Sequence, residues 1–284
     1  MNMKKITSLL ILVLLVIACT EELPKECNLN VASFNLRMDT EEDGEDAWSY
    51  RKEMVKGLIR FHDFDIVGTQ EGFASMLRDI AELDEYGYIG VGRDDGIEGG
   101  EHSAIFYKKD RFTLLDKGDY WLSETPDEPS FGWDALSHKR ICSWGKFLDN
   151  ISGKEFYFFS VHYDHQGVEA RRESSKLMIS RIQSITNGAT FFSVGDFNSV
   201  PEAEPIQLIY EADIMLDSKL VSKQPPYGTE GTTQEFKWDS PMKKRIDYIF
   251  VSKDVMVNKY GVLNDSQYGH FPSDHFPIMI NATF

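Results

Sequence analysis

The sequence predicts an α/β fold whose sheets are covered on both faces. From about residue 28 onward, apolar segments of strand character alternate with segments of helical spacing, and no repeat, low-complexity tract or Pro/Gly/Ser-rich linker interrupts them. Residues 156–159 and 191–192 are apolar at consecutive positions, which indicates strands buried on both sides. We therefore expect one continuous domain at residues 28–284, with a second sheet and flanking helices as the cover.

The first residues are typical of an export signal. Lys4 and Lys5 precede an apolar run at residues 9–18, which is too short to span a bilayer. Cys19 follows a small residue at the end of this run, an arrangement that resembles the lipobox of bacterial lipoproteins. We expect a lipoprotein signal peptide at residues 1–18, with an ordinary signal peptide or an uncleaved anchor as the alternatives.

Acylation of Cys19 would attach the protein to a membrane of the cell envelope, facing the periplasm or the cell surface. Residues 19–27, with two glutamates close after the cysteine, are the expected tether.

Apart from Cys19, the sequence contains two cysteines, Cys27 and Cys142. We expect both to be unpaired thiols, because a disulfide framework needs more cysteines than two.

The individual strands and helices are assigned from composition and spacing. Strands are expected where β-branched and aromatic residues cluster between polar turns. They lie at residues 29–36, 65–69, 103–107, 156–162, 190–195, 247–252 and 277–284. Helices are expected where apolar residues recur three or four positions apart. Their apolar faces are Met54, Leu58 and Phe61; Phe73, Met76, Leu77, Ile80 and Leu83; and Met178, Ile182 and Ile185.

The chain is acidic and large enough to bury a substantial core. Its 284 residues include 46 Asp and Glu against 30 Lys and Arg, for a formal net charge of −16, and 42% are hydrophobic. That hydrophobic fraction excludes a disordered chain. Affinity for nucleic acid depends on cationic side chains that release counterions, and the sequence has no run of five or more Lys and Arg. We therefore do not expect an extended nucleic acid duplex as a partner.

Polar side chains cluster where the predicted apolar strands end. Strand ends are where α/β folds place ligands, because side chains from distant segments converge there. Amide, carboxylate and imidazole groups at one edge would form a hard oxygen-ligand site for a cation, with imidazoles beside it. Each residue alone is more commonly a cap, a turn former or a hydrogen-bonded structural residue. The set is Asn35, Glu71, His162, Asp196, Asn198, Asp247, Asp274 and His275.

The order of these residues resembles the endonuclease/exonuclease/phosphatase superfamily. The motifs are Asn35, Gln70-Glu71, His162, Gly195-Asp196-Phe197-Asn198, Arg245-x-Asp247-Tyr248 and Ser273-Asp274-His275. The resemblance runs from about residue 29 to residue 280, and residues 162–172 are most similar to the nocturnin-like branch and its bacterial relatives. It implies the DNase I-like fold, which is a four-layered α/β sandwich of two packed mixed β-sheets flanked by helices.

The resemblance also implies a divalent metal site. Glu71 matches the principal metal ligand of the superfamily, with Asn35 close to the metal and Asp274 as a further ligand opposite Glu71. Carboxylate and amide oxygens suit Mg²⁺, which retains several waters, and Mn²⁺ accepts similar ligands. The implied cofactor is therefore Mg²⁺, with Mn²⁺ as the alternative.

Catalytic roles are implied for further residues. His162 matches the histidine that donates to the phosphate, and Glu101 is the candidate carboxylate that orients it. Asp196 matches the residue that acts on the attacking water or the leaving oxygen, while Asn198 holds the phosphate. From the residues themselves we choose Arg140, in the basic run at residues 138–140, as the phosphate-binding cation, with a solvated strand or loop charge as the alternative.

Asp247 and His275 match the carboxylate and imidazole that form a charge-assisted pair in the superfamily. Such a pair selects one imidazole tautomer and raises the basicity of the ring. The attacking water needs a base, and both Asp196 and His275 qualify for that role. Phosphate-ester hydrolysis then proceeds by in-line attack of the activated water, with cations and donors on the transition-state charge.

Two further groups of residues are expected near the cleft. The basic run Lys243-Lys244-Arg245 leads directly into the Asp247 motif and is expected to line the site. Trp133, Phe236 and Trp238 are candidates for stacking on a sugar or a base at the rim, with packing on the body of the domain as the alternative.

The favoured function is an exported, Mg²⁺-dependent phosphoesterase that hydrolyses a phosphate mono- or diester, with a small or lipid-linked phosphate as substrate. The acidic charge and the envelope signal favour this function. One alternative is a nocturnin-like 3′ to 5′ exoribonuclease, and another is a non-catalytic binding protein on the same scaffold. The protein is expected to act as a monomer.

Overall fold

The apolar runs of the sequence pair into two β-sheets in the computed structural model, which describes residues 26–284. The expected signal peptide at residues 1–18, the lipidation site Cys19 and most of the tether at residues 19–27 lie outside the described residues. The strands are β1 (Asn28–Asn35), β2 (Ile66–Gln70), β3 (Tyr86–Ile89), β4 (Ile105–Lys108), β5 (Phe112–Trp121), β6 (Ile141–Asp149), β7 (Glu155–His162), β8 (Phe191–Asp196), β9 (Met215–Asp217), β10 (Asp247–Ser252), β11 (Met256–Val262) and β12 (Ile278–Thr283).

The helices lie between these strands. They are α1 (Trp48–Phe61), α2 (Ala74–Ile80), α3 (Val168–Thr186), α4 (Glu204–Ala212) and α5 (Ser218–Val221), and a 3-10 helix (Glu41–Asp46) precedes α1. Within residues 26–284, no helix is long and apolar enough to cross a membrane.

Each sheet has six strands. One has the order β11-β12-β1-β2-β4-β3 and the other the order β5-β6-β7-β8-β10-β9. Most neighbours are antiparallel, but β1 with β2 and β7 with β8 run parallel at the centre of their sheets. Parallel neighbours end at the same edge, so Asn35 lies beside Gln70 and His162 beside Asp196. The antiparallel β10 begins there, with Asp247 opposite Asp196.

Three hydrophobic clusters separate four layers, which confirms the predicted α/β sandwich. The central cluster joins the inner faces of the two sheets, and one outer cluster packs α1 and α2 on the first sheet while the other packs α3 and α4 on the second. Alternation along β7 and β8 fills two layers at once, because Phe158 and Phe192 point between the sheets while Phe159 and Phe191 point toward the helices. The consecutive aromatic residues in the sequence are therefore explained by strands with two buried faces.

All seven predicted strands are present, with ends shifted by at most two residues. The sequence did not predict β3, β5, β6, β9 and β11, and four of these five are the edge strands of the two sheets. Edge strands have one half-exposed side, so they carry polar residues and lack the apolar runs that identify central strands. The β5 sequence, with Asp116 and Lys117 at its middle, is such a case.

Phe61 and Cys27 lie in environments that differ from those the sequence predicts. Phe61 does not belong to the buried face of α1, since it is 81% exposed and the helix instead buries Val55, Leu58 and Ile59. Cys27 is not part of a tether, because its side chain is buried and its backbone exchanges hydrogen bonds with Phe284. The folded domain therefore begins one residue earlier than expected. Cys27 and Cys142 are both free, as expected, and both are buried.

Candidate active site

Seven of the predicted site residues line one cavity at the edge of the sandwich where the central strands of both sheets end, and Asn35 and Asp247 contact them from behind. The parallel pairs bring Asn35, His162 and Asp196 to this edge, and Asp247 at the start of β10 joins them. The side chains surround a cavity of about 220 Å³. Its lining residues are Arg37, Met38, Glu71, Glu101, His138, Arg140, His162, His165, Asp196, Asn198 and His275.

Asn35 joins the two sheets at the base of this cavity. Its Nδ2 donates to Glu71 Oε1 at 2.8 Å and to Asp196 Oδ2 at 3.1 Å. Glu71 directly follows β2 in a left-handed backbone conformation (φ 64°), and its Oε2 accepts from the Met38 backbone N–H at 3.1 Å. Burial opposes ionisation of Glu71, but the hydrogen bond from Asn35 and the nearby His275 lower its pKa.

Asp196 is a buried carboxylate at the base of the cavity. Its Oδ1 accepts from the Asn198 backbone N–H at 2.8 Å, while its Oδ2 lies 3.6 Å from His162 Nε2 and 3.9 Å from His275 Nε2. Burial and the neighbouring Asp247 raise the pKa of Asp196 to about 7. A carboxyl group with such a pKa exchanges a proton near neutral pH, which is what a general base or acid requires.

Asp247 and His275 form the predicted pair. His275 Nδ1 lies 2.9 Å from Asp247 Oδ2, and Thr232 Oγ1 donates to the same carboxylate oxygen at 2.6 Å. Burial disfavours the imidazolium, yet Asp247, with Asp274 and Asp196 nearby, raises the pKa of His275 well above its usual value. Because the carboxylate holds Nδ1, the opposite nitrogen of the ring is directed toward Asp196.

His162 lies in a different electrostatic environment. Asn198 Nδ2 is 3.2 Å from His162 Nε2, and burial together with the cations of Arg140 and Arg93 holds the pKa of this imidazole well below its usual value. The predicted orienting carboxylate, Glu101, is 3.8 Å from His162 Nδ1, beyond hydrogen-bond distance. Its direct partner is Arg93, whose Nη1 donates at 2.6 Å.

Arg140, the residue expected to bind the phosphate, is buried at the side of the cavity. Its Nε donates to Asp164 Oδ1 at 3.2 Å and its Nη2 to His165 Nδ1 at 2.8 Å. Within residues 26–284, no hydrogen bond or ion pair occupies its remaining Nη1. One arm of the guanidinium is thus available to an anion in the cavity.

Some of the residues expected at the site do not line the cavity. Asp274 is one of them, as are Asn35 and Asp247, and the charge of Asp274 interacts with those of His275 and Glu71. Arg245 is buried away from the cavity, where its Nη2 binds Asp217 at 2.6 and 2.7 Å. It therefore has a structural role, and the run Lys243-Lys244-Arg245 does not line the site. The motif spacing places these residues near the strand end but does not determine which way each side chain points.

Two of the three candidate rim aromatics, Trp238 and Phe236, pack on the body of the domain. Trp238 contacts Phe271 at a centroid distance of 4.5 Å and donates from Nε1 to the Gly269 carbonyl. Phe236 packs over the guanidinium of Arg51 at 5.7 Å. The backbone N–H of Trp133 donates to Glu124 Oε2, and none of the three aromatics lines the cavity.

Arg51 is a supporting residue that the sequence does not predict. This buried side chain of α1 has no carboxylate partner within residues 26–284 and instead donates to backbone carbonyls of Leu36, Arg37, Met38, Asp46 and Pro272. The carbonyls of residues 36–38 directly follow Asn35, and Pro272 precedes the Asp274-His275 motif. Arg51 therefore connects the two loops that flank the base of the cavity. An arginine on a helix is usually solvated, so the sequence carries no signal for this role.

The donor chemistry at the base of the cavity fits a divalent cation. Ligand atoms of Glu71, His162 and Asp196 lie within 4.8 Å of one another, as do those of Asp196, Asp247 and His275. Two buried carboxylates at this separation need a cation or a shared proton to offset their repulsion. Carboxylate oxygens with an amide nearby are hard ligands, which Mg²⁺ and Mn²⁺ prefer. Glu71 is therefore the residue that would hold the ion. Asn35 presents its Nδ2, a donor, to Glu71 and Asp196, so in this arrangement it orients both carboxylates and does not coordinate.

The family model for the Endonuclease/Exonuclease/phosphatase family matches residues 32–275, a span that contains every residue described above at the base of the cavity. The chain belongs to this family. Its members are hydrolases of phosphate esters and typically use divalent metals, so the protein is a phosphoric ester hydrolase. The alternative of a non-catalytic binding protein is not supported, because the family model spans the whole site and members of the family hydrolyse phosphate esters.

Solved structures of similar proteins share the fold over nearly the whole chain. A family protein from Bacteroides thetaiotaomicron is 42% identical, with a TM-score of 0.89, over 92% of this chain and 96% of that one. The mannosyl-6-phosphatase Bt3783 of the same organism is 43% identical, with a TM-score of 0.87, over 90% of this chain and 100% of that one. The human nocturnin catalytic domain is 20% identical, with a TM-score of 0.70, over 90% of this chain and 94% of that one, which shows the fold alone.

Proposed function

We propose that the protein is an exported, Mg²⁺-dependent phosphoesterase that hydrolyses small phosphate esters, with a hexose phosphate as the favoured substrate. The observation that carries this proposal is the cavity of about 220 Å³, in which Arg140, His162 and Asp196 converge. Pockets for drug-sized ligands measure about 300–1,000 Å³, so this cavity suits a phosphate with a small alcohol. The 43% identity to a mannosyl-6-phosphatase over 90% of this chain supports a sugar as that alcohol.

Different side chains of the cavity would bind the phosphate and accept the proton of the attacking water. A bound phosphate would accept from Arg140 Nη1. It would also accept from Asn198 Nδ2, and from His162 once Nε2 carries the proton, in place of the 3.2 Å contact between these two groups; these donors stabilise the charge of the transition state. When bound, the divalent cation adds positive charge at the phosphate and at the attacking water. Asp196 is placed to take the proton of that water, while the imidazolium of His275, held by Asp247, adds positive charge beside Asp196 Oδ2.

The surface charge of the chain supports a small substrate. With a formal net charge of −16, the protein attracts a phosphate only through the cation and the few bases of the cavity. An extended duplex would require a basic surface around the site. Lys243 and Lys244 do not line the cavity, and Arg245 is occupied by Asp217.

A nocturnin-like 3′ to 5′ exoribonuclease is the second candidate. The observation in its favour is the sequence of residues 162–172, which includes His162 and His165 of the cavity. Stacking of bases on aromatic rings is the usual means of binding single-stranded nucleic acid, and none of the three candidate aromatics lines the cavity. The small-ester function is therefore preferred.

One substrate panel distinguishes these candidates. Mannose 6-phosphate, inositol phosphates, phospholipid head groups, bis-p-nitrophenyl phosphate and oligo(A) are each incubated with Mg²⁺, with Mn²⁺ or with EDTA. We expect release of phosphate from mannose 6-phosphate that EDTA abolishes. Cleavage of oligo(A) alone would favour the nuclease, and hydrolysis of none by the folded protein would overturn both functions.

The export part of the proposal rests on the N-terminal sequence. An apolar run that ends directly before Cys19 suits a lipid anchor at the cell envelope. Two forms of the full chain, wild type and Cys19→Ser, are expressed in a bacterial host and fractionated. We expect wild type in the membrane fraction and the variant outside it. Equal distribution of both forms would contradict lipidation at this residue.

A further inference from the structure

Two histidines at the mouth of the cavity are not used by the chemistry described above. His138 lies in the loop between β5 and β6, and His165 lies between β7 and α3. Their ring centroids are 5.8 Å apart with an interplanar angle of 33°, and both rings line the cavity beside Arg140. Segments far apart in the sequence thus bring two imidazoles together where the alcohol part of a substrate would leave the cavity.

The two segments are held together by several contacts. Ser137 Oγ donates to Gln166 Oε1 at 3.2 Å, directly beside the two histidines. The carboxylate of Asp134 accepts from backbone N–H groups in the first turn of α3, at 3.1 and 2.7 Å. The carboxylate of Asp164 accepts from the backbone N–H groups of Gln166 and Gly167. These hydrogen bonds fix the two segments that carry His138 and His165, so the two rings are held side by side at the cavity mouth.

The contact with Arg140 determines the tautomer of His165. A guanidinium only donates hydrogen bonds, so His165 Nδ1 must accept the 2.8 Å bond from Arg140 Nη2. The hydrogen of the neutral ring then sits on Nε2, which becomes a donor. Burial and the cation of Arg140 lower the pKa of His165, and burial with Arg93 and Arg140 lowers that of His138. Both rings are accordingly neutral at neutral pH.

Neutral imidazoles select a particular kind of ligand. Each ring offers one donor and one acceptor, a combination that suits hydroxyl groups, whereas a second phosphate would require cations. His138 makes no side-chain hydrogen bond within residues 26–284, so both of its ring nitrogens are available. Apart from histidines, none of the lining residues in the described chain is aromatic, which disfavours a nucleobase.

We infer that His138 and His165 form a hydroxyl-binding subsite that selects phosphate esters of polyhydroxy alcohols over esters of simple alcohols. This inference rests on the proposed function, because it concerns the alcohol part of the same substrate. Arg140 connects the two parts of the cavity, with one nitrogen on His165 and another available to the phosphate. A sugar phosphate would thus contact the arginine through its phosphate and the histidines through its hydroxyls.

The test compares two substrates that differ in hydroxyl groups. Mannose 6-phosphate carries hydroxyls beside the ester, and p-nitrophenyl phosphate carries none. The readout is the ratio of kcat/KM for the first substrate to kcat/KM for the second, measured with Mg²⁺. For His138→Phe we expect this ratio to fall about three- to tenfold, the effect of one lost neutral hydrogen bond. The double variant His138→Phe/His165→Phe should lower the ratio further.

His62→Phe is the matched control, because His62 pairs with Asp265 and does not line the cavity. Its ratio should equal that of wild type. An unchanged ratio in His138→Phe and in the double variant would overturn the subsite while leaving the phosphoesterase function in place. If wild type releases no phosphate from mannose 6-phosphate, the substrate proposed above fails, and the subsite fails with it.

Discussion

The base and the mouth of the cavity are built on different principles. At the base, Asn35, Glu71, Asp196, Asp247 and His275 come from the strand ends of both sheets and are held by hydrogen bonds and ion pairs inside the protein. At the mouth, the histidines come from loops, and the side chain of His165 is 43% exposed. The difference suggests that the base performs the chemistry shared by the family, while the mouth determines which alcohol is accepted.

The largest effect is expected from Asp196 at the base. Asp196→Asn keeps the size of the side chain but removes the proton acceptor, so kcat should fall by about 10²–10⁴-fold, the usual contribution of general acid–base catalysis. Steady-state kinetics with mannose 6-phosphate measures this loss. Asp213→Asn, an exposed substitution at the end of α4, is the control and should retain wild-type kinetics. Retention of wild-type kcat by Asp196→Asn would exclude Asp196 as a catalytic residue.

Asp247 holds His275 in place at the base of the cavity, and its substitution measures how much this positioning contributes to turnover. Asp247→Asn leaves the position filled but no longer holds the imidazolium of His275 or selects its tautomer. We expect kcat to fall about 10–100-fold with little change in KM, as for other residues that orient a catalytic histidine. A rise in KM at constant kcat would instead assign Asp247 to substrate binding.

Two buried arginines have different expected roles, since Arg140 lines the cavity and Arg245 pairs with Asp217 away from it. Arg140→Lys removes the forked donor that contacts His165 and faces the phosphate, so kcat/KM should fall about 10–100-fold, the effect of a lost charge-assisted hydrogen bond. Arg245→Lys weakens the ion pair with Asp217 and should lower thermal stability while leaving KM unchanged. Kinetics and thermal unfolding of both variants are measured together. Equal KM changes in the two variants would contradict this division.

The smallest effect is expected from Arg51, which connects the loops behind the base. Arg51→Lys cannot reach all of the backbone carbonyls that the guanidinium contacts, so the Met38 segment beside Glu71 should lose its fixed position. We expect about a tenfold higher Mg²⁺ concentration for half-maximal activity, comparable to other losses behind a metal site. Added guanidinium should restore part of the activity, which a general loss of stability would not permit.

The base of the cavity was largely predictable from the sequence, whereas the mouth was not. Polar residues directly after apolar strands are confined by sheet register, and this is why Asn35, His162, Asp196 and Asp247 appear where the sequence predicts them. Loop residues lack such a constraint. His138 and His165 meet only because two loops fold over each other, and Arg245 turns toward Asp217 although its motif adjoins the site.

The same limit applies to the rest of the fold. Central strands such as β7 and β8 were predicted because burial on both faces requires consecutive apolar residues. The edge strands β3, β5, β9 and β11 were not, since their pairing depends on a neighbouring strand distant in sequence. Arg51 was missed for a related reason, because its partners are backbone carbonyls that leave no pattern in the sequence.

We propose that Glu71 at the base of the cavity holds a divalent cation that is needed for hydrolysis of a small phosphate ester. The most direct test of this role is a Mg²⁺ titration of phosphate release from mannose 6-phosphate by wild type and by Glu71→Gln. Wild type should show saturable activation that EDTA reverses, and the variant should need at least about tenfold more Mg²⁺ or remain inactive. Activity that persists in EDTA, or an identical Mg²⁺ dependence of the two proteins, would contradict the claim.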